Sequence, residues 1–245
     1  MEIEGKRIFI TGANRGLGRA LAVACAEAGA GEVVAGARRP EELESLVNSV
    51  GARAKITPVR LDVTSDEDVS AAASSSGRVD VLVNNAGVAV YGGVLKAGME
   101  EIGREIEINY LGALRVVRAF APAMVEHGDG LIVNVASILG KVSAPALGTY
   151  CATKAALLSL SQALRGDLAG SGVRVIAVLP GTIDTDMSRG FEGEKMTPEQ
   201  AAREIVEAIR SEKTEAPIGE GARGVLAGLS ADPLGMEKAF AQFRS

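Results

Sequence analysis

Tyr150 and Lys154 lie four residues apart in a stretch of helical spacing, so their side chains share one helix face. A tyrosine hydroxyl has a pKa of about 10, too high for ready proton exchange near neutrality, and a neighbouring ammonium favours the phenolate. We therefore predict that Lys154 lowers the pKa of Tyr150 and that Tyr150 acts as an acid and base. Ser137 can hydrogen-bond an oxygen on which negative charge develops.

A glycine-rich segment, residues 11–18, has the spacing Gly-x-x-x-Gly-x-Gly and joins a predicted strand to a predicted helix. Glycines in such a segment let the backbone turn sharply, approach a pyrophosphate and pack the helix against the strand. The helix N–H groups then face the phosphates. The segment predicts a nucleotide site, and the alternative is a tight strand-to-helix turn without a ligand.

The elements that position these residues alternate between short Val- and Ile-rich runs and longer Ala- and Leu-rich stretches. Strands are expected at 7–11, 32–37, 56–61, 79–83, 131–135 and 173–179, and helices at 18–28, 40–50, 66–75, 99–126, 149–169 and 198–213. Most strands are apolar at consecutive positions, which predicts an α/β fold with a parallel sheet covered on both faces. Residues 214–245 diverge from this pattern and are expected to form an edge strand and one or two helices.

The composition of the 245 residues supports one domain spanning 1–245, since no linker, charge block or repeat interrupts the pattern. The net charge of −5 offers no long cationic surface to nucleic acid or anionic lipid. One His and the separated Cys25 and Cys151 provide neither a zinc site nor a disulfide framework, so no metal is expected.

The charged N-terminal residues lack the apolar core of a signal peptide, and no apolar run reaches about 18 residues. We expect no membrane span and a cytoplasmic location.

The motifs together resemble those of the short-chain dehydrogenase/reductase family. The matching parts are residues 11–18, residues 84–87 after the fourth strand, Asn109, Ser137 after the fifth strand, residues 150–154 and residues 180–181. The resemblance covers about residues 5–212 and implies a single-domain Rossmann-type doubly wound parallel sheet with helices on both faces.

The resemblance also implies site residues. The catalytic residues would be Asn109, Ser137, Tyr150 and Lys154, with Asn109 holding a water that links Lys154 to bulk solvent. The cofactor contacts would be Gly12, Asn14, Arg15, Gly16, Leu17, Gly18, Arg38, Arg39, Asp62, Val63, Asn85, Ala86, Gly87, Tyr150, Lys154, Pro180, Gly181, Ile183 and Thr185. Asp62 has a second interpretation, as the cap of a strand end.

The choice of cofactor depends on the end of the second strand, where an NAD enzyme places an acid on the ribose. This chain has Arg38 and Arg39 there, and the resemblance brings Arg15 near the same ribose. Guanidinium groups without an acid suit a 2′-phosphate. NADP(H) is therefore the expected cofactor.

The expected activity is hydride transfer between NADPH and a carbonyl or alcohol substrate, with Tyr150 moving the proton. The expected substrate is a mainly apolar ketone or aldehyde, because the residues that would line its pocket are Val88, Ile138, Leu139, Leu147, Met187 and Phe191. Residues 181–196 would form a substrate loop that could close over it.

Two alternatives remain open from sequence: an epimerase or dehydratase on the same fold, and a non-catalytic NADP-sensing or scaffold protein. Relatives of this size imply a homodimer or homotetramer, although residues 214–245 do not resemble the Gly-rich closing strand of the tetramers.

Overall fold

A seven-stranded parallel sheet forms the centre of the protein in this computed structural model, which describes residues 1–51 and 54–243. The strands are β1 Arg7–Thr11, β2 Glu32–Ala37, β3 Lys55–Arg60, β4 Val81–Asn84, β5 Gly130–Val135, β6 Val173–Pro180 and β7 Glu215–Ile218. Their order across the sheet is β3-β2-β1-β4-β5-β6-β7. The order reverses between β1 and β4, and such a switch point opens a crevice at the carboxyl ends of the strands.

Helices cover both faces of the sheet. Their bounds are α1 Gly16–Glu27, α2 Glu44–Val50, α3 Asp66–Ser75, α4 Met99–Ile106, α5 Ala113–His127, α6 Gly148–Asp167, α7 Pro198–Ser211, α8 Glu220–Ala231 and α9 Pro233–Phe240. One hydrophobic cluster joins the sheet to α1, α2 and α7, and another joins it to α3, α5 and α6. The doubly wound parallel architecture predicted from the sequence is confirmed.

The alternation of side chains in β1 shows why consecutive positions are apolar. Ile8 and Ile10 are buried in the cluster on one face, while Phe9 is buried in the cluster on the other. The Phe9 ring packs against Phe120 of α5 with 4.6 Å between ring centroids. A strand buried on both sides needs apolar side chains at every position.

The bounds of β1, β2 and α3 match the sequence prediction. The prediction of one continuous α-helix at 99–126 is wrong, because its middle is not α-helical. Between α4 and α5 the helix widens into a π-helical segment, Glu107–Gly112. Gly112 there packs so closely against Val63 that a Cβ would lie 2.8 Å from its side chain. Periodicity does not reveal such a widened turn, which tends to occur at functional sites.

The predicted edge strand and helices of the C-terminal segment are present as β7, α8 and α9. Residues 244–245 of that segment lie outside the described residues. The chain end returns toward the carboxyl edge of the sheet, where the Ala146 N–H donates to the Phe243 carbonyl at 3.0 Å.

A buried chain of hydrogen bonds links the central strands to α6. Asn84 Nδ2 donates to Asn134 Oδ1 at 2.9 Å, and Asn134 Nδ2 donates to Ser161 Oγ at 2.8 Å. Ser161 in turn donates to the Leu157 carbonyl. Buried polar groups that satisfy one another specify a unique arrangement, so this network positions the helix that carries Tyr150 and Lys154.

Within the described residues, no helix is both long and apolar enough to cross a membrane. The same part of the chain holds no group of three or more His, Cys, Asp or Glu side chains that could bind a metal ion. Cys25 and Cys151 are buried thiols.

Candidate active site

The glycine-rich turn between β1 and α1 requires glycine for two different reasons. Gly12 and Gly16 have φ values of +66° and +53°, in the left-handed region that other residues rarely adopt. Gly18 is needed for space, because a Cβ there would overlap the Gly12 carbonyl and lie 2.5 Å from Asn85 Nδ2. The predicted close approach of backbone segments at this turn is therefore present.

The N-terminus of α1 opens at this turn without a side-chain cap, and its first turn holds no acidic residue. Backbone N–H groups at a helix start carry partial positive charge and bind anions. Leu17 follows Gly16 in this first turn. The turn would thus let phosphate oxygens approach the backbone closely and accept from the uncapped N–H groups of α1.

The carboxyl ends of β1 and β4 are joined by hydrogen bonds of Thr11 and Asn85. Thr11 Oγ1 accepts from the backbone N–H of Asn85 at 3.0 Å and of Ala86 at 2.9 Å. Asn85 Nδ2 donates to the carbonyls of Thr11 and Gly12. These four bonds fix the residue 84–87 motif directly against the glycine-rich turn.

Three of the arginine and asparagine side chains predicted at the cofactor already have protein partners. Asn14 Nδ2 donates to Glu42 at 2.6 Å, Arg39 forms an ion pair with the same Glu42, and Arg15 pairs with Asp186 at 3.4 Å. By contrast, the ion pairs found within residues 1–51 and 54–243 do not include Arg38. Arg38 is therefore the most available guanidinium at the end of β2.

Arg38 lines a cavity of about 370 Å³ beside the carboxyl ends of β2 and β3. The other lining residues are Asp62, Thr64, Gly103, Arg104, Glu107 and Ile108. Asp62 accepts hydrogen bonds from the Thr64 N–H at 3.0 Å and hydroxyl at 2.7 Å. Burial acts to raise the pKa of Asp62, but these bonds and the charges of Arg38 and Arg60 together lower it. Asp62 thus does cap the strand end, while its contact with a base remains a prediction.

Ser137, Tyr150 and Lys154 come together at the carboxyl end of β5. Ser137 is buried near the Tyr150 hydroxyl and acts to lower its pKa, and Ser137 Oγ accepts from the Leu139 N–H at 3.1 Å. Lys154 is only 4% exposed, and its Nζ donates to the Val135 carbonyl at 2.8 Å. The Nζ atom lies 5.5 Å from the centroid of the Tyr150 ring.

Burial dominates the pKa values of both groups. It raises the pKa of Tyr150, and Ser137 opposes this rise as a hydrogen-bond partner. Burial also lowers the pKa of Lys154 to about 8, because a charge removed from water is disfavoured. That Lys154 lowers the pKa of Tyr150 stays a prediction.

Asn109, in the π-helical segment, holds the chain beside these residues. Its Oδ1 accepts from the Val88 N–H at 2.8 Å, and its Nδ2 donates to the Val88 carbonyl and to Thr153 Oγ1. A Cβ on Gly87 would lie 3.2 Å from Asn109 Oδ1 and 3.7 Å from Lys154 Nζ. Asn109 and Lys154 thus both lie close to Gly87, and the water that would link them remains a prediction.

Residues 181–196 lie against the glycine-rich turn. The Gly181 N–H, directly after Pro180, donates to Ile218, and Ile183 pairs with Met196. Thr185 packs on the turn, with its methyl carbon 3.3 Å from where a Cβ of Gly16 would be.

The side chains predicted to line the substrate pocket differ in exposure. Val88, Leu139, Leu147 and Phe191 are half-buried, and Met187 is exposed. Ile138, which was also expected to line the pocket, is instead buried in the cluster formed by β6, α6 and neighbouring elements. Its burial explains its apolar character without a substrate.

Two neighbours fix the position of the loop. The Tyr91 hydroxyl donates to the Met187 carbonyl at 2.7 Å, and the Phe191 ring lies 6.2 Å from that of Phe243. The residue 91 segment and the C-terminus therefore both border the loop.

Sequence reasoning missed four residues at this site: Thr11, Arg104, Glu105 and Thr153. Thr11 belongs to the quoted motif, but its bonds to the β4 end depend on strand pairing. Glu105 precedes Asn109 by one helical turn, so an acid on the buried face of that helix was the available signal. Arg104 and Thr153 carried no comparable signal.

Comparisons with known proteins agree with these observations. The family model described as short chain dehydrogenase matches residues 6–195. The short chain dehydrogenase pigC of Monascus ruber is 37% identical, over 87% of this chain and 77% of its own length. The 3-oxoacyl-[acyl-carrier-protein] reductase FabG of Thermotoga maritima is also 37% identical, over 77% of this chain and 78% of its own.

A solved structure of a short chain dehydrogenase from Burkholderia cenocepacia, in complex with NADP, is similar over almost the whole chain. It is 40% identical, covers 98% of this chain and 99% of its own, and superposes with a TM-score of 0.90.

Replacing Gly18 by alanine tests the close approach at the turn. The added methyl group would meet the Gly12 carbonyl and Asn85 Nδ2, so Gly18→Ala should destabilise the protein by about 1–3 kcal/mol. Gly166→Ala in α6 is the control, since nothing lies within 4 Å of that Cβ position, and it should be neutral or stabilising. Thermal and urea unfolding of both variants measures the difference, and equal stability would contradict the steric argument.

Proposed function

The chain belongs to the short-chain dehydrogenase/reductase family of oxidoreductases, and we propose that it is an NADP(H)-dependent reductase of mainly apolar ketones or aldehydes, or acts in reverse on their alcohols. The observation that carries this proposal is the meeting of Ser137, Tyr150 and Lys154 beside the glycine-rich turn. A carbonyl bound there would have two hydroxyl groups directed at one oxygen.

The residues present fit a dinucleotide with a 2′-phosphate. Gly18 lets the start of α1 pack closely against the turn, and this uncapped helix start provides N–H groups for the pyrophosphate. Arg38, beside the 370 Å³ cavity, is the guanidinium best placed to bind the 2′-phosphate. The solved relative from B. cenocepacia that binds NADP supports the same choice.

Bound NADPH would supply a hydride to the carbonyl carbon. The Tyr150 hydroxyl would donate its proton to the carbonyl oxygen while Ser137 hydrogen-bonds that oxygen. Burial raises the pKa of Tyr150 and so keeps its hydroxyl protonated at neutral pH, and the hydroxyl can donate to the more basic alkoxide oxygen that forms as the hydride arrives. The buried ammonium of Lys154 would then stabilise the phenolate left behind.

Two alternatives on the same fold make different predictions. An epimerase or dehydratase would use its cofactor transiently and produce no net NADPH oxidation, and a sensor or scaffold protein would bind NADP(H) without turnover. Ser137 and Lys154 both lie beside Tyr150, which favours an enzyme over a sensor or scaffold protein. Carbonyl-dependent loss of NADPH absorbance separates the three.

The substrate proposal rests on the apolar border of the site. Val88, Leu139, Leu147 and Phe191 are half-buried, and they offer no polar side-chain group to a ligand. A pocket with apolar walls, and with polar groups only at Ser137 and Tyr150, distinguishes substrates by their shape and by how much apolar surface they bury. The FabG relative, whose name describes reduction of a 3-oxoacyl group, is compatible with a ketone substrate.

The acid role of Tyr150 predicts the effect of Tyr150→Phe. The ring packing stays while the proton donor is lost, so kcat should fall by about 10² or more with little change in NADPH affinity. Steady-state kinetics and NADPH fluorescence titration measure the two quantities. Tyr110→Phe removes a phenol from the π-helical segment and serves as the control; retained turnover in Tyr150→Phe would refute the assignment.

The role of Arg38 predicts a preference for NADPH over NADH. Charged hydrogen bonds contribute about 1.5–3 kcal/mol, so Arg38→Ala should weaken NADPH binding about tenfold or more and leave NADH binding nearly unchanged. Arg39→Ala is the matched control and should have a smaller effect, because Arg39 is paired with Glu42. Equal kcat/KM for the two cofactors in the wild type would contradict the proposal.

The apolar border predicts how Phe191→Ala changes specificity. Loss of the ring should raise KM for bulky aryl or alicyclic ketones several-fold more than for small ketones, which provide the internal control. A panel of ketones and aldehydes with NADPH measures this. The highest kcat/KM for hydroxylated or anionic carbonyls would show the substrate proposal to be wrong.

A further inference from the structure

Glu105 is a buried acid that the reductase mechanism does not use. It lies on α4 with no exposed surface, and its Oε1 accepts from the Val90 N–H at 2.7 Å. Its Oε2 is also buried and has no hydrogen-bond partner among the described residues. An acceptor left unsatisfied in the interior is costly, so its presence calls for a compensating role.

Glu105 and Asn109 hold the same stretch of chain. They lie one helical turn apart, and they bind Val90 and Val88 respectively. Four helical residues rise about 6 Å, close to the length of two extended residues, so the two side chains match the repeat of the bound segment. That segment begins at Gly87, next to Lys154 Nζ.

The charge of Glu105 acts on the catalytic groups. Burial is the larger effect on the pKa of Lys154 and lowers it. Glu105 acts in the opposite direction and raises it. The same charge contributes to the raised pKa values of Tyr150 and Cys151 on α6. Of the titratable groups in this region, Glu105 from α4 acts on Lys154, while Glu105, Cys151 from α6 and Tyr91 from the preceding loop act on Tyr150.

We propose that Glu105 is a positioning residue of the active site, which ties the residue 87–90 segment to α4 and places a carboxylate in the same buried region as the Lys154 ammonium. The proposal rests on the proposed function for its catalytic meaning. The ammonium of Lys154 is buried, and an interior charge requires a counter-charge because the surroundings screen weakly. Glu105 provides it from a different helix, without a direct ion pair.

Glu105→Gln tests the charge while preserving the shape and an oxygen that can accept from Val90. In the wild type, NADPH affinity should fall as the pH rises above about 8, because Lys154 loses the proton with which it binds the cofactor. In Glu105→Gln the fall should begin at a lower pH. Glu105→Asp should restore the wild-type midpoint, and Glu100→Gln, exposed on the same helix, should leave it unchanged.

Fluorescence titration of NADPH at a series of pH values measures these midpoints without turnover. An unchanged midpoint in Glu105→Gln would overturn the charge role. An affinity lowered equally at every pH would also overturn it, because that result indicates only a loosened segment.

A second measurement needs neither cofactor nor substrate. Since the pKa of Lys154 is about 8 in the folded protein and higher when unfolded, the unfolded chain binds more protons above pH 8 and stability rises there. Below pH 8 the whole penalty of the buried ammonium is present. Glu105→Gln should therefore lower Tm more at pH 7 than at pH 10, where Lys154 is neutral in the folded state.

Equal Tm losses at the two pH values would overturn the proposal, since loss of the Val90 bond alone does not depend on pH. These outcomes are distinguishable from failure of the proposed function. If no carbonyl oxidises NADPH, the reductase assignment fails, whereas the Tm comparison still decides whether Glu105 maintains the charge of Lys154.

Discussion

The hydrogen bonds between Thr11 and Asn85 are the contact on which the candidate site depends. They join the ends of β1 and β4 where the strand order reverses, and an unsupported crevice there would leave backbone groups unpaired. Because this junction is tight, Gly18 can pack against the turn and direct the start of α1 at the crevice. The phosphate end and the catalytic end of the site are therefore built on one rigid edge of the sheet.

A second constraint is the burial of charge at that edge. Lys154 is buried at the end of β5 with its ammonium on a backbone carbonyl, and the buried Glu105 has no hydrogen-bond partner for Oε2 within the described part of the chain. Such an arrangement costs stability, and proteins retain it where protonation states must be controlled. The raised pKa of Tyr150 belongs to the same low-dielectric environment. In the proposed function, proton donation by Tyr150 and the charge of Lys154 would therefore depend on one buried region.

The border of the site is built from parts of the chain that are distant in sequence. Tyr91 binds the residue 181–196 loop, Arg15 pairs with Asp186, and Phe243 packs on Phe191 while accepting from Ala146. The C-terminal segment therefore borders the residue 181–196 loop.

The sequence by itself determined the alternation of strands and helices, the bounds of β1, β2 and α3, and the turn that requires Gly12, Gly16 and Gly18. These features follow from local periodicity and backbone conformation, which a short stretch of chain already contains. Only the tertiary structure decided that Arg15 and Arg39 are paired while Arg38 is available, that Ile138 belongs to the core, that Glu105 is buried beside Lys154, and that the pKa of Tyr150 is raised. Ion pairing and desolvation depend on which distant residues meet and on how much water they exclude, and neither quantity is written in local spacing.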